Sequence, residues 1–210
     1  MTSVTFELET RFDSADALRS AFGETSLHLK AGAVLWLFGE ISLGASVSFE
    51  GECRIEGPTS IEQGSILSDS RLGAGSQVRP YSVVRDFIGG RSNLLGPFCF
   101  LRDGCIAGDH VILGAHVEAA RSRMGAGVKV SHRAFLGDAE IGDDVIIGAG
   151  VVFCNYDGKG RQPSTIGAGA TIGSGSLLVA PVVVGRGAIV AAGSVVTKDI
   201  PDHGKLLQKR

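Results

Sequence analysis

His132 and Asn155 each stand two residues after an apolar anchor of a short repeat, Val130 and Phe153 respectively. An imidazole gains or loses a proton near neutral pH, and a carboxamide both donates and accepts hydrogen bonds. Held at equivalent corners in different rungs, the two could move a proton and orient a polar ligand. Glu118 adds a carboxylate in an odd register. Counting six from Ile112 puts Glu118 where an inward aliphatic belongs, and six more lands on Met124. A carboxylate there needs a partner, or a bulge that turns it out and leaves Val117 as the anchor.

The repeat must position these residues. Apolar anchors return at Met124, Val130, Leu136, Ile141, Ile147 and Phe153, a step of six that shortens once to five. Neither helix nor strand gives that beat, but a hexapeptide β-solenoid does. The beat is recognisable at Ile55, Ile61, Leu67, Leu72, Val78 and Val84, and it blurs between Ile88 and Leu94. It resumes at Leu95, Leu101, Ile106 and Ile112, and is cleanest at Ile166, Ile172, Leu178, Val184, Val190 and Val196. Three hexads make a triangular coil of about 18 residues, and coils stack about 4.8 Å apart.

One step is irregular. The interval from Phe153 to Ile166 is more than double a hexad, and the turn-forming excess reads as a loop thrown out beside the solenoid. Residues 1–35 lack the beat. Val4, Phe6 and Leu8 alternate as a short strand, and Ser14 caps a helix over Ala15 to Phe22 that Gly23 stops. A solenoid end exposes unpaired backbone, so this segment reads as a cap. The expected organisation is a cap over 1–35, the solenoid over 36–205 and a basic tail over 206–210.

Bulk properties exclude several classes. A formal net charge of −2 gives no nucleic-acid footprint, and 31 glycines suit a fold of many tight corners. No apolar run approaches a membrane span, and the acidic N-terminus (Glu7, Glu9, Asp13) is unlike an export signal, so a cytoplasmic protein is expected. Cys53, Cys99, Cys105 and Cys154 form no CxxC pair and read as small buried thiols.

The stretches GPFCFLRDG, VEAARSRMGAGVKVSHRAFLGDAEIGDDVIIGAG, FCNYDG and GSLLVAPVVVGRGAIVAAGSVVT carry a family resemblance. The chain resembles the hexapeptide-repeat acyltransferases. It is most similar to the C-terminal acetyltransferase half of the bifunctional enzymes that acetylate glucosamine-1-phosphate and uridylylate the product. The resemblance covers roughly residues 40 to 205, and no counterpart of the uridylyltransferase half is recognisable. It implies an all-β, left-handed parallel β-helix with a small N-terminal cap, assembled as a homotrimer with active sites between subunits. It also implies acetyl-CoA as co-substrate, an amino-sugar acceptor (phosphorylated or nucleotide-linked), and no metal.

By that likeness His132 matches the general base, which suits amine acylation, since an imidazole can take the proton as the amine attacks. Glu118 matches the acidic residue that supports it. Asn155 and Tyr156 match residues at the amine and the thioester. Ser174, Ala149 and Ala192 match acyl-CoA contacts, and Ser174 could also donate to the developing oxyanion. Lys209 and Arg210, with Arg186, Lys198 and Lys205, would meet the phosphates of coenzyme A.

The acceptor positions depart from the family pattern. Arg102 is retained and Arg161 stands for a Lys, whereas Ala120 replaces a Lys beside Arg121, Phe135 a Tyr and Ile146 an Asn. Acyl transfer is thus better marked than glucosamine-1-phosphate as acceptor. Two other readings compete: a zinc-dependent carbonic anhydrase with His110, His116 and His132 meeting between subunits, and a non-catalytic trimeric scaffold or regulatory protein that has kept the fold.

Overall fold

The computed structural model describes residues 1–207; Lys209 and Arg210 lie outside them. The hexads fold into three walls. Each coil lays one short strand on each wall, and each strand pairs in parallel with its equivalents in neighbouring coils. One wall is a ten-stranded sheet running from His28–Leu29 to Val195–Val196. The other two walls are continuous at the start, because Val34–Leu43 passes through both and pairs with Glu52–Glu56 and then Thr59–Ile61. The architecture is a parallel β-helix of about ten coils, consistent with the left-handed winding implied by the family likeness. Parallel pairing starts at His28–Leu29 and reaches Lys205–Leu206.

Successive coils keep a nearly constant offset, with Val83 opposite Phe100 and Phe100 opposite Glu118. The anchors therefore pile into columns. Leu67, Val84, Leu101, Leu136, Phe153 and Leu178 are all fully buried. Each such side chain contributes about 1.5–3 kcal/mol by leaving water, so the core stabilises the coil stack along its whole length.

Three details correct the hexad count. Ile106 and Ile112 face outward, and the inward residues are Ala107 and Leu113. Glu118 inherits that one-residue slip. Its neighbours Val117 and Ala119 are both fully buried, so Ala119 is the anchor and the carboxylate points out with no bulge. The blurred stretch has its anchor at Gly89, opposite Leu72 and Ala107. A Cβ on Gly89 would lie 2.8 Å from the ring of Phe87, so the buried phenyl fills the space that an aliphatic anchor takes elsewhere.

The N-terminal segment closes one end. The strand Thr2–Phe12 runs antiparallel to Val34–Leu43. Its register shifts between Phe6 and Thr10, which breaks the alternation: Phe6 packs on the core, but Leu8 is 79% exposed. The helix Ala15–Phe22 follows, with Ser14 Oγ accepting from Ala17 N and Gly23 in the left-handed region at φ 61°. Leu18 and Phe22 are buried on its inner face, and the rings of Phe12 and Phe22 lie 5.8 and 5.9 Å from Phe6. Cys53, Cys99 and Cys105 are buried as expected, whereas Cys154 is only half-buried, and burial pushes the thiols of Cys53 and Cys99 up to about 11.

The corrected register has a direct test. Leu113→Ala should cost about 2–5 kcal/mol by emptying a core column, and Ile112→Ala less than about 1 kcal/mol. Equilibrium denaturation of the two variants distinguishes the assignments, and equal losses would contradict the columns described.

Candidate active site

His132 and Asn155 share a place in the hexad but stand on different edges of the prism. His132 belongs to the edge formed two residues past the anchors of the second wall. Ala115 lies opposite it in the preceding coil, and the corner amides chain the following coils together. Gly150 N donates to His132 O (3.2 Å), Gly175 N to Ala149 O (2.8 Å) and Gly193 N to Ser174 O (2.7 Å). His132, Ala149, Ser174 and Ala192 are thus consecutive steps of one column. The residue after each has a left-handed backbone: Arg133, Gly150, Gly175 and Gly193. From Gly150 onward that left-handed position is glycine in each coil, so among the described residues it places no side chain beside the column. Toward the N-terminus the same corner carries rings instead. Tyr81 stacks on Phe98 (5.6 Å between centroids) and Phe98 on His116 (5.1 Å). The His132 imidazole is exposed and makes no hydrogen bond among the described residues.

The third wall begins past that corner. Its outward column reads Ile66, Val83, Phe100, Glu118, Phe135, Val152, Leu177 and Val195 in consecutive coils. Glu118 is the one charge in an otherwise apolar stripe. Its Oε1 accepts from Arg102 Nη2 at 2.7 Å and Nε at 3.2 Å, so within one chain the carboxylate is held by Arg102. Arg102 also lies over the Phe100 ring (5.4 Å) and pairs with Asp103.

The far edge of this wall is the corner column Asp69, Asp86, Asp103, Arg121 and Asp138, all at positive φ. Asn155 is the next residue of that series. Arg121 bridges carboxylates above and below: Nη1 reaches Asp103 at 2.8 Å, while Nε and Nη2 grip Asp138 at 2.7 and 3.1 Å. Asn155 is 8% exposed and its Nδ2 donates to Asp138 Oδ2. The Arg121 guanidinium holds the Asp138 carboxyl below the usual range, with Asn155 and Arg161 acting in the same direction.

The loop leaves from here. Val152 lies opposite Leu177, a longer excursion than any other step of this wall, and the excess is the loop. Asn155 O accepts from Gln162 N at 2.7 Å, Tyr156 bridges Arg161, and the Asp157 carboxylate accepts from the amides of Lys159 and Gly160. Tyr156 is 64% exposed.

The structure therefore gathers Arg102, Glu118 and Phe135 on one wall and puts His132 at one edge and Asn155 with Tyr156 at the other. The wall between is about three residues, or roughly 10 Å, across. Ile146 lies outward on the second wall, and Ala120 is fully buried. Arg121 does not replace the lysine missing at 120, because its charge is taken by Asp103 and Asp138. Sequence reasoning missed Asp138 as a site residue. The available signal was the return of Asp at the coil period, 69, 86 and 103, which the hexad count does not reveal.

His110 is not near the other histidines in the way a shared ligand set requires. Its amide bonds Arg91 O, on a different edge from His116, whose amide bonds Pro97 O. Among the described residues no cluster of three or more His, Cys, Asp or Glu could hold a metal, and no helix is long and apolar enough to cross a membrane.

Coils and columns define a hexapeptide-repeat β-solenoid, and residues 163–198 match the family Bacterial transferase hexapeptide (six repeats). Over a longer span the chain is similar to the Bifunctional protein GlmU of Acinetobacter baylyi, at 40% identity over 164 residues, 78% of this chain and 36% of that protein. The Bifunctional protein GlmU of Alkalilimnicola ehrlichii is 45% identical over 166 residues, 79% of this chain and 33% of that one. The chain thus spans little more than a third of the length of these relatives. The crystal structure of UDP-N-acetylglucosamine O-acyltransferase (LpxA) from Moraxella catarrhalis shares the fold, with a TM-score of 0.53 at 15% identity, covering 83% of this chain and 66% of that one.

The edge network predicts a pH-dependent contribution to stability. Asp138 is depressed in the folded state, so its contribution is present above the unfolded carboxyl value of about 4 and is lost as pH falls through the folded value. Arg121→Ala should therefore be destabilised relative to the parent at pH 7, with the gap closing below about pH 4. Denaturant melts at the two pH values measure it.

Proposed function

We propose that this chain is an acyl-CoA-dependent N-acyltransferase acting on an amino sugar, with His132 as general base. The observation that carries this is the column His132, Ala149, Ser174, Ala192. An exposed imidazole stands at one end of an edge whose following positions are small residues each succeeded by glycine, which suits an extended pantetheine, in a chain about 40% identical to GlmU proteins. In the reaction, the amine nitrogen attacks the thioester carbonyl carbon and gives up a proton to His132. The C–S bond then breaks, and the departing thiolate takes the proton from the His132 imidazolium to leave as the free thiol of coenzyme A. Ser174, exposed two coils beyond His132, is placed in this reading to donate to the thioester oxygen. Acetyl-CoA is the proposed donor, and no metal takes part.

The apolar stripe on the third wall supports a shared site. Its outward apolar residues, in a single column, are the surface a second copy would cover, and covering them would surround Glu118 and Arg102 with protein. A homotrimer would then bring the His132 edge of one subunit near the Asn155 edge of the next.

The acceptor is where the geometry shifts the expectation. Arg102 is already opposed by Glu118 and Asp103. Arg161, exposed in the loop, makes no ion pair among the described residues and remains to meet an anionic group. With Phe135 and Ile146 outward and Ala120 buried, the acceptor surface is more apolar and less cationic than the family pattern. This favours an amino sugar with fewer hydroxyls than glucosamine, since unmet hydrogen bonds cost selectivity. The neutralised arginine also favours, as a second reading, a trimeric scaffold without turnover. Calorimetric binding of acetyl-CoA separates the two, because a scaffold has no need of it.

His132→Ala should lose about 10²- to 10⁴-fold in kcat while acetyl-CoA affinity is kept, as read by thiol release and calorimetry on the folded variant. Full activity in that variant would make His132 structural. Against a panel of free, phosphorylated and nucleotide-linked amino sugars, glucosamine-1-phosphate should be a poor acceptor. A kcat/KM above about 10⁴ M⁻¹s⁻¹ for it would refute the altered-acceptor reading.

A further inference from the structure

Asp138 has its two oxygens fully directed. Oδ1 accepts from Arg121 Nε, and Oδ2 accepts from Arg121 Nη2 and from Asn155 Nδ2. Its own amide donates to Ala120 O at 3.0 Å, which fixes the corner from which the carboxylate projects. A carboxylate carries no proton to donate. Asn155 must therefore turn its NH₂ toward Asp138, and its Oδ1 is left pointing away. Gly137 makes this pose possible, since a Cβ there would collide with Asn155 Nδ2. An outward carboxamide oxygen is the group an incoming amine needs, because it accepts an N–H and leaves the nitrogen lone pair free to attack. The reversed amide would present N–H groups to N–H groups.

We propose that Asp138, clamped by Arg121, is a positioning residue that locks the Asn155 carboxamide with its oxygen toward the acceptor amine. Arg121, Asp138 and Asn155 then act as one unit. The function assigned to that unit rests on the acyl-transfer reading above. The lock itself does not, and a purely structural tie at the base of the loop would survive an isosteric change. The Asn155 O to Gln162 N bond holds the loop whichever way the amide faces.

The chain has only two asparagines, Asn93 and Asn155, so ¹⁵N-asparagine labelling gives two side-chain amides, each assignable by a single substitution. In the parent protein the Asn155 amide should show one proton shifted downfield by the carboxylate; Asp138→Asn, which itself adds a third side-chain amide to the spectrum, should abolish that shift. In the same variant, kcat/KM for the amino-sugar acceptor should fall about 10- to 100-fold, with acetyl-CoA affinity changed by less than about twofold. Gly137→Ala is the second arm. It crowds Asn155 Nδ2 and also the Phe135 ring, 2.8 Å from the added Cβ, while leaving Asp138 and Arg121 unchanged. Its readout is therefore the Asn155 amide signal, which should lose its downfield shift even if Asp138→Asn fails to fold. An Asn155 amide that does not respond to either change overturns the lock. So does unchanged acceptor kinetics in a variant whose amide has moved. A parent protein that acylates no amine overturns the functional reading alone, and the amide signals still decide whether the lock exists.

Discussion

The structure depends on in-register parallel stacking. Once one coil is hydrogen-bonded over the next at a fixed offset, each side chain has an equivalent about 4.8 Å away above and below. Composition is therefore constrained by column as well as by position. Aliphatic columns inside are self-consistent, and outside a column must solve its own electrostatics. At the corner beyond the third wall, Asp69, Asp86 and Asp103 repeat a like charge, and Arg121 then enters and is flanked by Asp103 and Asp138. A carboxylate is best satisfied there by a cation one coil away, and both oxygens of Asp138 show it.

The same rule places the polar residues of the site. The small residues that follow His132 along its edge are all two past an anchor, so a groove arises wherever that position is small in consecutive coils. No side chain needs a special conformation for it. At the next position of the same corner, three past an anchor, the coils just before Arg133 carry Tyr81, Phe98 and His116, which build a stack of rings, and the coils after it carry glycine. One backbone device thus yields a track of glycines on one side of His132 and a stack of rings on the other.

Much of the fold was legible because hexads are a strong periodic signal and inward aliphatics have no other home. The helix at Ala15–Phe22 was equally legible from Ser14 and Gly23. The count failed where periodicity was carried by the wrong atom type. Ile106 and Ile112 are as apolar as an anchor but sit one residue early, with Ala107 and Leu113 inside. Gly89 has no side chain to register at all, and Phe87 does its packing from two residues away. The slip at Ile112 alone made Glu118 look like a buried charge. In the candidate site the family motif marked His132, Glu118 and Asn155. The pairings of Glu118 with Arg102 and of Asp138 with Asn155, however, each join residues about one full coil apart in the chain. Such contacts become readable only after the coil offset is known.

The two ends of the stack are not alike. At one, an antiparallel strand and a helix bury Leu18 and Phe22 against the first coil; at the other, the described chain finishes with the short pair Ile189–Val190 and Lys205–Leu206. In a quasi-one-dimensional array each coil draws its stability from its immediate neighbours, so opening starts at whichever end is less reinforced. Amide exchange would then be graded along the prism. It would be slow near the helix and faster in coils that lie farther from it. The coil of His132 and the softer coils beyond it would be parts of one uninterrupted ladder, differing only in distance from the cap.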